Sequence, residues 1–225
     1  MSRSDAVHPQ YSRAERRADA VVHALGLVFG LAACIALALL ALPRNDGLLW
    51  LSLGLYGGGL MTMLACSALY NLSNHTRWKP LFRRLDHAAI FVMIAGTYTP
   101  FMLIAIGGAW GRGLLAFVWT VALGGVVLKF FWPHRFERLS VAAYLLLGWS
   151  IVVVADALVS AMSAAGIALL LAGGLLYSLG VVFHLWSRLP YQNAIWHAFE
   201  LAAAASHFTA VLSEVVAAGW AGSVF

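Results

Sequence analysis

Asp86 and His87 stand side by side in the stretch SALYNLSNHTRWKPLFRRLDHAAIFVMIAGTYTPF, residues 67–101, which leaves one apolar run and enters another. A carboxylate next to an imidazole can move protons or ligate a metal, and both lie at the mouth of a segment apolar enough to enter a membrane. In the preceding run Ser67 and Asn71 are four apart, so on a helix they share a face. Nearer the carboxyl end, Asn193, His197, Glu200 and His207 fall at offsets of 0, 4, 7 and 14, a single stripe of one helix. At about 1.5 Å per residue, His207 lies roughly 15 Å deeper than His197. His23 is the matching polar group of the first apolar run. Each residue also has a plain reading. Asp86 caps a helix or pairs with Arg83, His87 snorkels to solvent, and His23 hydrogen-bonds between helices. His184, beside Trp186, sits at an interface, while Asp156 and Glu214 lie near the opposite ends in water.

The elements that must position these side chains are membrane spans. The chain has 225 residues, 62% hydrophobic and 10% charged, where a soluble domain is nearer a quarter charged. Its mean hydropathy is +0.85. Seven apolar segments are expected at roughly 20–42, 47–72, 86–107, 112–132, 139–160, 165–186 and 193–218, each long enough to span. The reading is an all-α, seven-transmembrane helix bundle, with residues 1–19 as a cytoplasmic N-terminal segment and 20–225 as the membrane domain. The first run is read as a retained helix, since no clear small-residue cleavage site follows it. Pro43, Pro80, Pro133 and Pro190 separate segments, while Pro100 falls inside the third and should kink it. Cys34 and Cys66 lie within apolar runs and make no disulfide framework. With the N-terminus inside, twelve of the fourteen Lys and Arg fall on cytoplasmic segments and only Arg44 and Arg112 outside. The net charge of +5 is thus a topology signal and no argument for nucleic acid. The N-terminus is expected in the cytoplasm, the C-terminus outside, and the protein in the inner (plasma) membrane among lipid partners.

Depth then sorts the polar residues. A charged group at membrane depth costs about 2.5–3.5 kcal/mol on insertion scales, so it needs a partner, a cavity or a task. His23, Ser67 with Asn71, Asp86 with His87, and Asn193 with His197 all fall just under the cytoplasmic face. The mouths of the second, third and seventh spans are expected to meet around one buried pocket, which also takes in Glu200 and, deeper, His207.

SALYN at 67–71, RRLDHAAIFVMIAGTYTPF at 83–101, GGLLYSLGVVF at 173–183, NAIWHAF at 193–199 and AERRADAVVHALG at 14–26 together resemble the bacterial hemolysin III family, the prokaryotic branch of the progestin and adipoQ receptor (PAQR) superfamily. The resemblance implies seven helices, an inside amino end and a zinc ion near the cytoplasmic face. It implies three histidine ligands, one ending S-x-x-x-H on the second helix and two in H-x-x-x-H on the seventh, with an Asp and a Ser completing the centre. In some relatives a metal-bound water is thought to attack a lipid amide. Here His197 is the ligand that remains, and Asn71 and Asn193 occupy the other two positions. Asp86 and Ser67 match the Asp and Ser, which would be the catalytic residues of an enzyme, and His207 matches a further histidine. Asn offers zinc only a weak carbonyl oxygen. The leading expectation is therefore a non-catalytic or metal-depleted member that senses membrane lipid through a polar pocket. The alternative is a zinc-dependent lipid amide or ester hydrolase. A pore is disfavoured because the outer halves of several spans are almost purely apolar, and an ion-coupled transporter because no paired broken helices stand out. An ion site rebuilt from His197, Asp86 and Glu200 is a further possibility, and His23 lends a nitrogen if the first helix packs beside the seventh.

Overall fold

The computed structural model describes residues 11–73, 77–133 and 137–221. Among these there is no strand, and the chain forms an all-α membrane bundle. α1 (Arg13–Ala41) opens on a capping box: the Ser12 hydroxyl accepts from the Glu15 amide at 3.2 Å, and the Glu15 carboxylate accepts from the Ser12 amide at 2.7 Å. Asp46 caps α2 (Gly47–Leu72) by accepting from the Leu48 and Leu49 amides. α3 (Lys79–Pro100) carries Pro80 in its first turn, where no N–H is needed. At Pro100 the α-helix gives way to a π-helical stretch, Phe101–Ile106, closed by Gly107 and Gly108 at φ 60° and 61°. α4 covers Gly108–Phe131. α5 is interrupted: Glu137–Trp149 and Ala155–Ala161 flank a 3₁₀ stretch at Ser150–Val154. α6 (Ala164–Leu185) starts on a Ser163 cap, and α7 is Gln192–Ala221.

Six of these helices are long and apolar enough to cross a membrane by length and composition. α7 has 30 residues, enough to span, and is the helix that carries the polar stripe. Two starts differ from the hydropathy reading. α1 begins at Arg13 rather than near 20, and α3 at Lys79 rather than 86. The apolar pattern marks where the charges stop, whereas the helices run on through basic turns outside the hydrocarbon. Two consequences follow. Pro80 lies inside α3 and not between segments, and Asp86 sits about two turns into the helix, so it caps nothing.

The apolar side chains point largely outward, as at Val28, Leu146 and Val153, which suits a lipid surround. α2 and α3 approach closely through glycines. A Cβ on Gly96 would lie 2.8 Å from the Leu55 carbonyl oxygen, and one on Gly59 would lie 3.2 Å from that of Val92. α1 packs against both α2 and α7, and its amino end is tied to the start of α7. The Tyr191 amide donates to Glu15 at 2.9 Å, and the Tyr11 hydroxyl donates to Gln192 at 3.3 Å. Burial, and then the Asp19 carboxylate, hold the Tyr11 phenol above its ordinary pKa. The ends of α1, α2 and α7 that bear Asp19, Asn71 and Asn193 are thereby gathered at the basic end of the bundle.

Candidate functional site

His197 is the hub of this end. Its Nδ1 stands 2.6 Å from the Asp19 carboxylate, which can only accept, so Nδ1 carries the hydrogen and Nε2 presents a lone pair. That lone pair faces the Ser67 hydroxyl and the Asn71 amide, each 3.4 Å away. Asn71 also donates to the Ser67 carbonyl at 3.0 Å, one helical turn back, which fixes its rotamer. Asn193 donates twice from one amide nitrogen, to Asp19 at 3.0 Å and to Asn71 at 3.1 Å. The His23 ring lies against the His197 ring with centroids 4.3 Å apart. Its Nε2 is 3.6 Å from Asp19, too long for a hydrogen bond, and it is buried without a hydrogen-bond partner.

Two cavities adjoin the network. A polar one of about 70 Å³ is walled by Ser67, Asp86, His87, Lys129, His197 and Glu200 among others. A larger one of about 130 Å³ lies among α3, α5, α6 and α7, with an apolar wall that includes Ile94, Trp149 and Val181. Glu200 is buried and borders both, while His207 lines the apolar one. His207 Nε2 donates to the Leu170 carbonyl at 3.2 Å, so the deepest residue of the stripe also links α7 to α6. The mouths of the second, third and seventh spans thus do meet. Ser67, Asn71, Asn193 and His197 form one hydrogen-bonded group, and Asp86, His87 and Glu200 lie on the wall of the pocket beside it. His184 is exposed against Trp196, Asp156 is exposed, and Glu214 accepts from the Ser163 hydroxyl at 2.7 Å.

Two residues of this site were not expected from the sequence. Asp19 had been placed in the segment before the first span, yet it is buried and bonds both α7 residues of the network. The spacing held a signal: Asp19 and His23 are four apart, one turn on the same face. Lys129, counted only toward topology, is buried on the pocket wall. The residues at the family's zinc-ligand positions do not fit that metal, for Asn71 and Asn193 offer amides already engaged with each other and leave one imidazole. Asp19, His23 and His197 are a different matter. One donor atom from each lies within 4.8 Å of the others, a group that could hold a metal ion.

The chain is similar to known proteins over most of its length. A family model described as haemolysin-III related matches residues 12–208. The chain is 39% identical over 202 residues to Hemolysin-3 of Bacillus cereus, covering 90% of this chain and 92% of that one. It is 38% identical over 200 residues to the Hemolysin-3 homolog of Bacillus subtilis (strain 168), covering 88% and 93%. A more distant likeness, 29% over 203 residues, is to the human monocyte to macrophage differentiation factor, covering 88% and 83%. With helices, basic end and polar centre already in place, the chain belongs to the haemolysin III family of membrane proteins, within the PAQR superfamily.

Proposed function

We propose that this haemolysin III protein of the plasma membrane binds a membrane lipid without hydrolysing it, and reports lipid state through the packing of its polar end. The observation that carries this reading is that an apolar and a polar cavity lie side by side, with Glu200 on the wall of both. An apolar space of about 130 Å³ is close in volume to engineered apolar cavities that take up benzene, and so holds part of an acyl chain. The polar pocket next to it, with Ser67, Asp86 and His197 on its wall, offers donors and acceptors to a head group. Apolar walls with a few convergent polar groups are the usual make-up of a small-molecule site. α5 packs sparsely against its neighbours, which gives a chain a way in from the bilayer. The test is lipid analysis of protein exchanged into lipid-free detergent. About one lipid should remain per chain, and Ile94→Phe with Val181→Phe should reduce it several-fold by filling the cavity. A wild-type chain that retains no lipid sinks the reading.

A hydrolytic reading is favoured by one observation, the Ser67 hydroxyl and the Asp86 carboxylate sharing a pocket wall with His197. In that case water adds to the lipid's carbonyl carbon while Ser67 orients the carbonyl oxygen, Asp86 takes the water's proton and passes it to the departing amine or alcohol, and the fatty acid is released. Release of free fatty acid from a lipid amide, lost on Asp86→Asn, separates the two readings.

A further inference from the structure

We propose that this chain holds a divalent transition metal, zinc by donor chemistry, between Asp19, His23 and His197, so that α1 supplies the ligands that α2 and α7 lack. Three observations converge. The side chains come from two helices, and one donor atom from each lies within 4.8 Å of the others. All three residues are more than nine-tenths buried, at 6%, 6% and 5% exposure. His23 Nε2 points into the group with no hydrogen-bond partner, at a depth where an orphaned nitrogen is costly. Two imidazoles and a carboxylate are a donor set that zinc takes, with a fourth position left open. Asn193 then has a role beside the ligands: it donates to the Asp19 carboxylate, and such a second partner fixes ligand orientation. The inference rests on α1 and stands or falls apart from lipid occupancy of the larger cavity.

The test is elemental analysis of the full chain in nanodiscs, after incubation with zinc and gel filtration. About one zinc per chain is expected. Asp19→Asn, His23→Gln and His197→Gln should each lower it at least tenfold, whereas Asn71→Ala should keep most of it. A wild-type chain without zinc overturns the proposal. So does full retention by His23→Gln, or loss in Asn71→Ala as complete as in His23→Gln, which would place the ligands on α2. X-ray absorption on the zinc-loaded wild type does not depend on any variant folding. Two imidazoles in the shell are expected, and one or none overturns the assignment.

Discussion

Asn193 shows how one amide organises a buried centre. Its NH₂ carries two hydrogens, and the structure directs them to two acceptors on different helices, Asp19 and Asn71. Asn193→Ala leaves both acceptors short of a partner, which should lower stability by about 1–3 kcal/mol. Asn193→Asp keeps the size but turns a donor into an acceptor facing two acceptors, one of them a carboxylate, so it should cost more than the alanine. Thermal unfolding in detergent reads the order directly, and an Asp variant as stable as the Ala variant would mean that the amide does not bridge the two. The position could be picked out in the sequence from its place four residues before His197. Its partner could not, since Asp19 is followed by the apolar run and preceded by three arginines, Arg13, Arg16 and Arg17, and reads as solvated. Burial there is set by the packing of α1 on α7, which no local pattern encodes.

At the scale of elements, the two departures from regular helix have different origins, and only one was legible. Pro100 announces the disruption of α3, and the π-helical stretch begins directly after it. The 3₁₀ stretch of α5 follows no proline. Its partner is Tyr98 on α3: the phenol oxygen accepts from the Ile151 amide at 2.7 Å and lies 2.8 Å from the Gly148 carbonyl and 3.0 Å from that of Leu147. One buried hydroxyl thus serves backbone groups that the 3₁₀ stretch leaves without α-helical partners. Tyr98→Phe should cost about 1–2 kcal/mol and should speed amide exchange around residues 147–155 more than elsewhere in α5. Uniform exchange along α5 in the variant would show that the break is held by something other than Tyr98. Because α5 also walls the apolar cavity, the same variant should loosen lipid retention.

For the whole molecule, what the sequence made readable was depth, and what it left open was adjacency. Polar residues at the same level of several spans predict a shared layer, and Ser67, Asn71, Asn193 and His197 occupy it. That α1 stands beside α7, bringing Asp19 and His23 into the same layer, depends on the order of helices around the bundle. The capping box at Ser12 and Glu15 contributes to that order, since Glu15 also holds the Tyr191 amide, but only coordinates reveal the second bond. The remaining global property is direction. Basic side chains gather at the end that holds the site: Lys79 donates to the Tyr70 and Ser73 carbonyls, and Arg83 pairs with Glu137. Such an excess favours the cytoplasmic side. In a Cys34→Ala, Cys66→Ala background, Asn45→Cys in the α1–α2 turn and Ser187→Cys after α6 are both exposed and lie at opposite ends. A membrane-impermeant maleimide should label Asn45→Cys on intact cells and Ser187→Cys only after permeabilisation. The reverse pattern would turn the bundle over and put Asp19, His23 and His197 under the outer face, where any ion they hold would exchange with the external medium rather than with the cytoplasm.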